Sequence, residues 1–210
     1  MAAMTTRGLF ATDCEVRAAR WVQRKLGTCQ HERRVLAIAS RLYDLTRPVL
    51  KLGMAENRLL RLASLVHDVG RCVSEKNHPQ DGAQMLMDTT AIELSPLDRR
   101  ALSFLTRYHR GAVPPAHKED YLRTADPRTS LRAVLALLRV ADALDSRRIV
   151  SPRLTFTMDG RSLCIHCQVD GDLRAARRVY GRRKKFRMLE SLLGMPIRVE
   201  VSKADALLVA

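Results

Sequence analysis

Residues 131–144, LRAVLALLRVADAL, carry apolar side chains on almost every face of a helix. A helix of that kind has no solvent side, so the rest of the chain must supply the elements that enclose it. At 210 residues there is length for one sizeable core, or one core and a small appendage. Aromatics make up only 4% of the chain against 46% hydrophobic residues, so that core is mainly Leu, Val and Ala, which favours helices packed on helices. One residue contradicts the apolar run. Asp142 is flanked by Val140, Ala141, Ala143 and Leu144. A carboxylate there has to be paired, hydrogen-bonded or bound to a metal, because an unpaired buried charge costs several kcal/mol.

Helical periodicity marks five earlier segments. DCEVRAARWVQRKLG begins at Asp13 and stops at Gly27. HERRVLAIASRLYDL follows, and Pro48 is expected to interrupt or kink it. AENRLLRLASLVHDVG is the third, and HPQDGAQMLMD opens the fourth with Pro79 in its first turn. Ser95-Pro96-Leu97-Asp98 is a near capping box for the fifth, which runs to RYHRG and closes at Gly111. After Pro152 the period changes to two. RLTFTM and SLCIHCQV alternate around the turn Asp159-Gly160, a long basic helix is expected from Asp172 to Gly194, and IRVEV is a last strand. The expected architecture is mainly α: a helical bundle over residues 1–150, then a β-β-α-β unit over 151–210. GRRKKFR at 181–187 reads as the outer face of the last helix.

Lys plus Arg is 37 and Asp plus Glu is 22, a net charge of +15. That field suits polyanions: nucleotides, polyphosphate, nucleic acid or an acidic partner. No apolar stretch approaches the ~18 residues of a membrane span. The N-terminal residues resemble neither a secretory nor a mitochondrial leader, and the five cysteines form no regular framework, so a cytoplasmic location with reduced thiols is expected. Cys164 and Cys167 lie three apart in a strand, where side chains point to opposite faces, and no second pair completes a zinc site. Oligomeric state leaves no signature.

Four of the six histidines fall at element ends. His31 begins the second helix, the doublet His67-Asp68 ends the third, His78 begins the fourth and His109 ends the fifth. Imidazoles with Asp68 and Asp142 form a mixed N/O donor set suited to Mn²⁺, Fe²⁺, Co²⁺ or Zn²⁺, with Mg²⁺ on the carboxylates alone. Adjacent helical residues are ~100° apart, so His67 and Asp68 can address one cluster, and the two oxygens of Asp68 can bridge two ions. Each has a plainer reading too: His67 as a structural residue at a capped end, His31 and His78 as first-turn residues, His109 as a cation at a helix C-terminus. Arg71, Arg107, Arg110, Arg147 and Arg148 stand close in sequence to these positions, and their guanidinium forks fit phosphate oxygens.

His31, then His67-Asp68 in LVHDVG, then Asp142 in LRVADALD resemble the ordered H…HD…D signature of HD-domain metal-dependent phosphohydrolases. HPQDGAQML at His78 and RYHRG at His109 resemble the added histidines of HD proteins that hold two metals. Together with the strand pair and LESLLGMPIRVEV, nearly the whole chain resembles the C-terminal half of the exopolyphosphatase / guanosine pentaphosphate phosphatase family. In that family the known phosphatase site lies in N-terminal actin-like domains with glycine-rich phosphate loops, which have no counterpart in these residues. The resemblance implies an HD bundle holding one or two divalent ions on His31, His67, Asp68, Asp142, His78 and His109, with Asp68 central to catalysis. It further implies hydrolysis of a nucleotide, polyphosphate or other phosphorylated anion by metal-activated water. The alternative is a module that binds such a polyanion without catalysis.

Overall fold

The computed structural model describes residues 10, 12–114, 131–147, 149 and 152–204. The helices fall where the apolar periodicity places them: α1 (Asp13–Leu26), α2 (Gln30–Leu50), α3 (Met54–Val66), α4 (His78–Asp88), α5 (Pro96–Tyr108) and α6 (Leu131–Leu144). A 3₁₀ turn, Val69–Cys72, joins α3 to α4. Local chemistry sets the ends. Thr12 accepts the Glu15 amide at the start of α1, Gly27 takes φ 73° at its end, and Ser95 accepts the Asp98 amide below Pro96. Pro48 does not interrupt α2. It lies near the last turn, over the exposed Asp44 whose carbonyl can face water, and the helix runs on to Leu50 before Lys51 turns left-handed at φ 53°.

Helix α6 is the axis of the bundle. Both its flanks are buried, and α2, α3 and α5 pack around it. The remaining elements are β1 (Arg153–Met158), β2 (Leu163–Val169), α7 (Leu173–Tyr180), α8 (Arg187–Leu193) and β3 (Ile197–Lys203). The sheet order is β1-β2-β3, with β1 antiparallel and β3 parallel to β2, the helices making the crossover. In β2 the buried Leu163, Ile165, Cys167 and Val169 alternate with half-exposed residues. These join the helical core in one continuous apolar cluster.

The long basic helix expected from Asp172 is two helices. Ala176 and Tyr180 are buried on α7, while Phe186, Leu189 and Leu193 are buried beyond the break. In one continuous helix Phe186 would stand about 240° around from Tyr180. The two apolar groups would then diverge by about 120°, too far to share one buried stripe. A break at Gly181–Arg182 and a 3₁₀ turn at Arg183–Lys185 bring both onto the core. Arg183 fixes the turn by bonding Glu190 and the Ile197 carbonyl. The basic run is therefore not an outer helix face: Phe186 is 2% exposed, and Lys185 points inward to Asp142.

Gly70 sets how closely the 3₁₀ turn meets α4. A Cβ on it would lie 2.2 Å from the His78 carbonyl oxygen and 2.4 Å from the Gly82 nitrogen. Both are backbone atoms, so Gly70→Ala must push α4 away. We expect a loss of about 1–3 kcal/mol, read as a melting temperature lower by about 2–4 °C per kcal/mol; an unchanged melting temperature would contradict this packing.

Candidate metal centre

Six of the side chains singled out above converge between the ends of five helical elements. His31, His67, Asp68, His78, His109 and Asp142 are all at most 5% exposed. Nε2 of His31 and of His67 lies 3.4 and 3.7 Å from Asp142 Oδ1. Nε2 of His78 and of His109 lies 3.3 and 3.4 Å from Asp68 Oδ1. Asp68 also turns its Oδ2 towards His31, 3.7 Å away. The six thus form two neighbouring trios, His31–His67–Asp142 and Asp68–His78–His109, the donor atoms of each within 4.8 Å of one another.

The far nitrogen of every imidazole is already committed. Nδ1 donates to the Ser64 carbonyl from His67 (3.0 Å), to Glu75 from His78 (2.7 Å) and to Thr106 from His109 (2.7 Å). A carbonyl only accepts, so Nδ1 carries a proton in each, and the neutral form of such a ring presents an Nε2 lone pair inward. His31 Nδ1 is held by Asp145 Oδ2 at 2.7 Å. Such partners fix the tautomer and orientation of metal-binding histidines. The inward face, by contrast, is incomplete. His31 Nε2, His67 Nε2 and Asp68 Oδ1 are buried without hydrogen-bond partners, and Nε2 of His78 and His109 stand 3.3 Å apart. This donor set fits a divalent ion in each trio: bare lone pairs and carboxylate oxygens facing one another are stabilised by a cation between them.

Both carboxylates stay ionised in the metal-free protein. Burial pushes the Asp68 carboxyl up, but His67, His109 and His78 outweigh it and hold it far below the usual carboxylate range. Asp142 is likewise depressed against its burial, by His31, His67 and Lys185. Burial carries His109 down to about 4, so it is not a cation complementing the end of α5. Burial acts on His31 in the same sense, yet the facing carboxylates of Asp142 and Asp145 raise it to about 9.

Side-chain cations lie on the outer carboxylate oxygens. Asp68 Oδ2 accepts from Arg71 Nε at 2.7 Å and Arg147 Nη2 at 2.9 Å, and Asp142 Oδ2 meets Lys185, with Arg110 Nε 4.0 Å away. His31 and Asp142 open onto a cleft of about 470 Å³ lined by Arg71, Arg110, Arg147, Arg182, Lys184 and Lys185. Arg107 is not on it. It lines a separate groove of about 370 Å³ on the His78 side, which it shares with Arg110. Arg148 falls outside the described residues. Sequence reasoning missed Lys185, whose approach to Asp142 from 43 positions away needs the break before it. It also missed Glu32. Asp145 holds Arg34 at 2.7 Å and orients His31 as well.

The two shifted histidines predict how metal-free protein responds to pH. His31 binds its proton more tightly folded (about 9) than unfolded (6.5), so its contribution is complete below 6.5 and lost as pH rises towards 9. His109 does the reverse, losing stability as pH falls from 6.5 towards 4. The urea midpoint of chelator-treated protein should peak near pH 6.5, and His31→Gln should flatten the alkaline limb. A midpoint still rising towards pH 9 would contradict the His31 geometry.

No curated protein matches the chain. The family model for Ppx/GppA phosphatase, domain III, matches residues 23–165, which take in His31, the His67-Asp68 doublet, His78, His109, all of α6 and most of the β1–β2 pair. That span is more than half of the sequence, and on it the chain belongs to the Ppx/GppA phosphatase domain III family.

Proposed function

We propose that this protein is a divalent-metal-dependent phosphohydrolase of the HD type, acting on a nucleotide or another phosphorylated anion. One observation supports the reading: four imidazoles, each held through Nδ1, aim Nε2 at two buried carboxylates, and His31 Nε2, His67 Nε2 and Asp68 Oδ1 are left without hydrogen-bond partners. His31, His67, Asp68 and Asp142 would hold one ion, and Asp68, His78 and His109 the other. Two such ions would supply Lewis-acid charge for a phosphoryl oxygen and bring the pKa of water into the neutral range.

The chain's own residues do the rest. Asp68 reaches both trios from one carboxylate and keeps the two positions adjacent. Arg71 and Arg147 grip its outer oxygen in the metal-free protein. Once metal charge takes over that task, their forks are the nearest bidentate donors for phosphate oxygens. Arg110, on both the cleft and the neighbouring groove, is placed for the same work. His31 and Asp142 line the cleft, and so buried a position leaves interactions with developing phosphoryl charge little screened by water.

A second reading, a polyanion-binding module, draws support from Arg182 and Lys184, exposed cations on the cleft wall. Salt separates the two: polyanion binding should weaken steeply with added salt, while turnover in a metal-floored cleft should follow the metal and its ligands.

With Mn²⁺ or Fe²⁺ supplied, purified protein should release phosphate from a nucleotide or short polyphosphate. Asp68→Asn should lower kcat/KM by about a hundredfold or more, and Arg147→Ala should act mainly on KM. Unchanged phosphate release in Asp68→Asn would remove the cluster from the chemistry.

A further inference from the structure

Glu32 follows His31 in the first turn of α2 and is fully buried. An acid at that place ordinarily meets the helix dipole from the surface or caps the backbone. Glu56, in the first turn of α3, caps: its Oε2 accepts the Gly53 amide at 2.9 Å. Glu32 does not. Its Oε1 takes a long contact, 3.4 Å, from Arg147 Nη2, and its Oε2 is buried with no hydrogen-bond partner. Leaving such an oxygen bare is costly, and more so for a charged group. Its surroundings show what it awaits: a Glu32 oxygen, a His31 ring nitrogen and an Asp68 oxygen lie within 4.8 Å of one another.

We propose that Glu32 is a further ligand of the ion at His31, an inference that rests on the two-ion reading above. His31 Nε2 has a single lone pair and serves one ion. The trio with His67 and Asp142 and the trio with Glu32 and Asp68 therefore describe one position. That position gathers three carboxylates and two imidazoles, while the other has two imidazoles and a share of Asp68. The two positions are unlike in charge and in number of donors. The oxygen-rich one suits a harder ion such as Mn²⁺ or Mg²⁺. It fills first, and the ion at His78 and His109 follows as the more exchangeable one. Arg147, which touches both Glu32 and Asp68 Oδ2, is the cation displaced when the first ion enters.

The test is calorimetric titration of chelator-stripped protein with Mn²⁺, with elemental analysis after dialysis. Wild type should bind in two steps, and His78→Ala should lose only the weaker one. Glu32→Gln keeps the side-chain shape and an acceptor for Arg147, and should weaken the tighter step by about tenfold or more. Equal affinities in wild type and Glu32→Gln would overturn the assignment while leaving the two-ion site standing. So would a lower metal-free melting temperature with unchanged affinities, which makes Glu32 a structural partner of Arg147. Absence of Mn²⁺ binding by wild type would overturn both readings. If Glu32→Gln does not fold, Glu32→Asp, which keeps the charge and shortens the reach, is titrated instead: the same weakening supports the assignment and unchanged affinity overturns it.

Discussion

Two carboxylates buried among apolar helices are the constraint on which this structure turns. Asp68 is 0% and Asp142 5% exposed, and an ion so placed is stable only with compensating charge and hydrogen bonds around it. The fold meets that demand from inside and outside. Four imidazoles face the inner oxygens, while Arg71, Arg147 and Lys185 hold the outer ones. The cations on the outside donate hydrogen bonds to those oxygens. Inside, His67, His78 and His109 spend their Nδ1 protons on Ser64, Glu75 and Thr106. Structural compensation alone would have turned N–H groups inward; in their neutral form these three rings turn lone pairs inward.

The helical framework follows from delivering those side chains. Each histidine stands at a helix end, where a side chain reaches past its own backbone into the space between elements. Asp142 is the exception and needs α6 at the centre of the bundle to arrive from the other side. Two backbone approaches set the spacing: Gly70 lets the turn after Asp68 touch α4, and Gly82 brings α4 within reach of Thr106 on α5. The sheet unit takes part as well. By rephasing its apolar stripe at Gly181, it seats Phe186 in the core and carries Lys185 onto Asp142.

Much of this was legible in the sequence because it rests on local signals. Periodicity located α1 to α6, capping chemistry located Ser95 and Gly27, and the all-round apolar α6 made its one acid conspicuous. Pro48 does not interrupt α2, because it stands near the last turn over an exposed residue, and whether the carbonyl one turn back is buried is stated by no local pattern. The break at Gly181 was readable in principle: on a continuous helix the burial-prone residues on either side of it lie about 120° apart. What no local pattern carries is the partnership across distance. That Asp145 orients His31, that Glu32 is left without a partner, and that Arg107 faces a different groove from Arg71 are consequences of packing.

The central claim is that the cluster is built for two ions held one on each trio. The most direct test is a crystal structure of protein purified without chelator, with anomalous diffraction recorded across the Mn, Fe, Co and Zn edges. The account predicts two peaks, one among His31, His67 and Asp142 and one among Asp68, His78 and His109, with Asp68 contacting both. No peak after reconstitution, with His78 and His109 still 3.3 Å apart across an Asp68 oxygen, would contradict it.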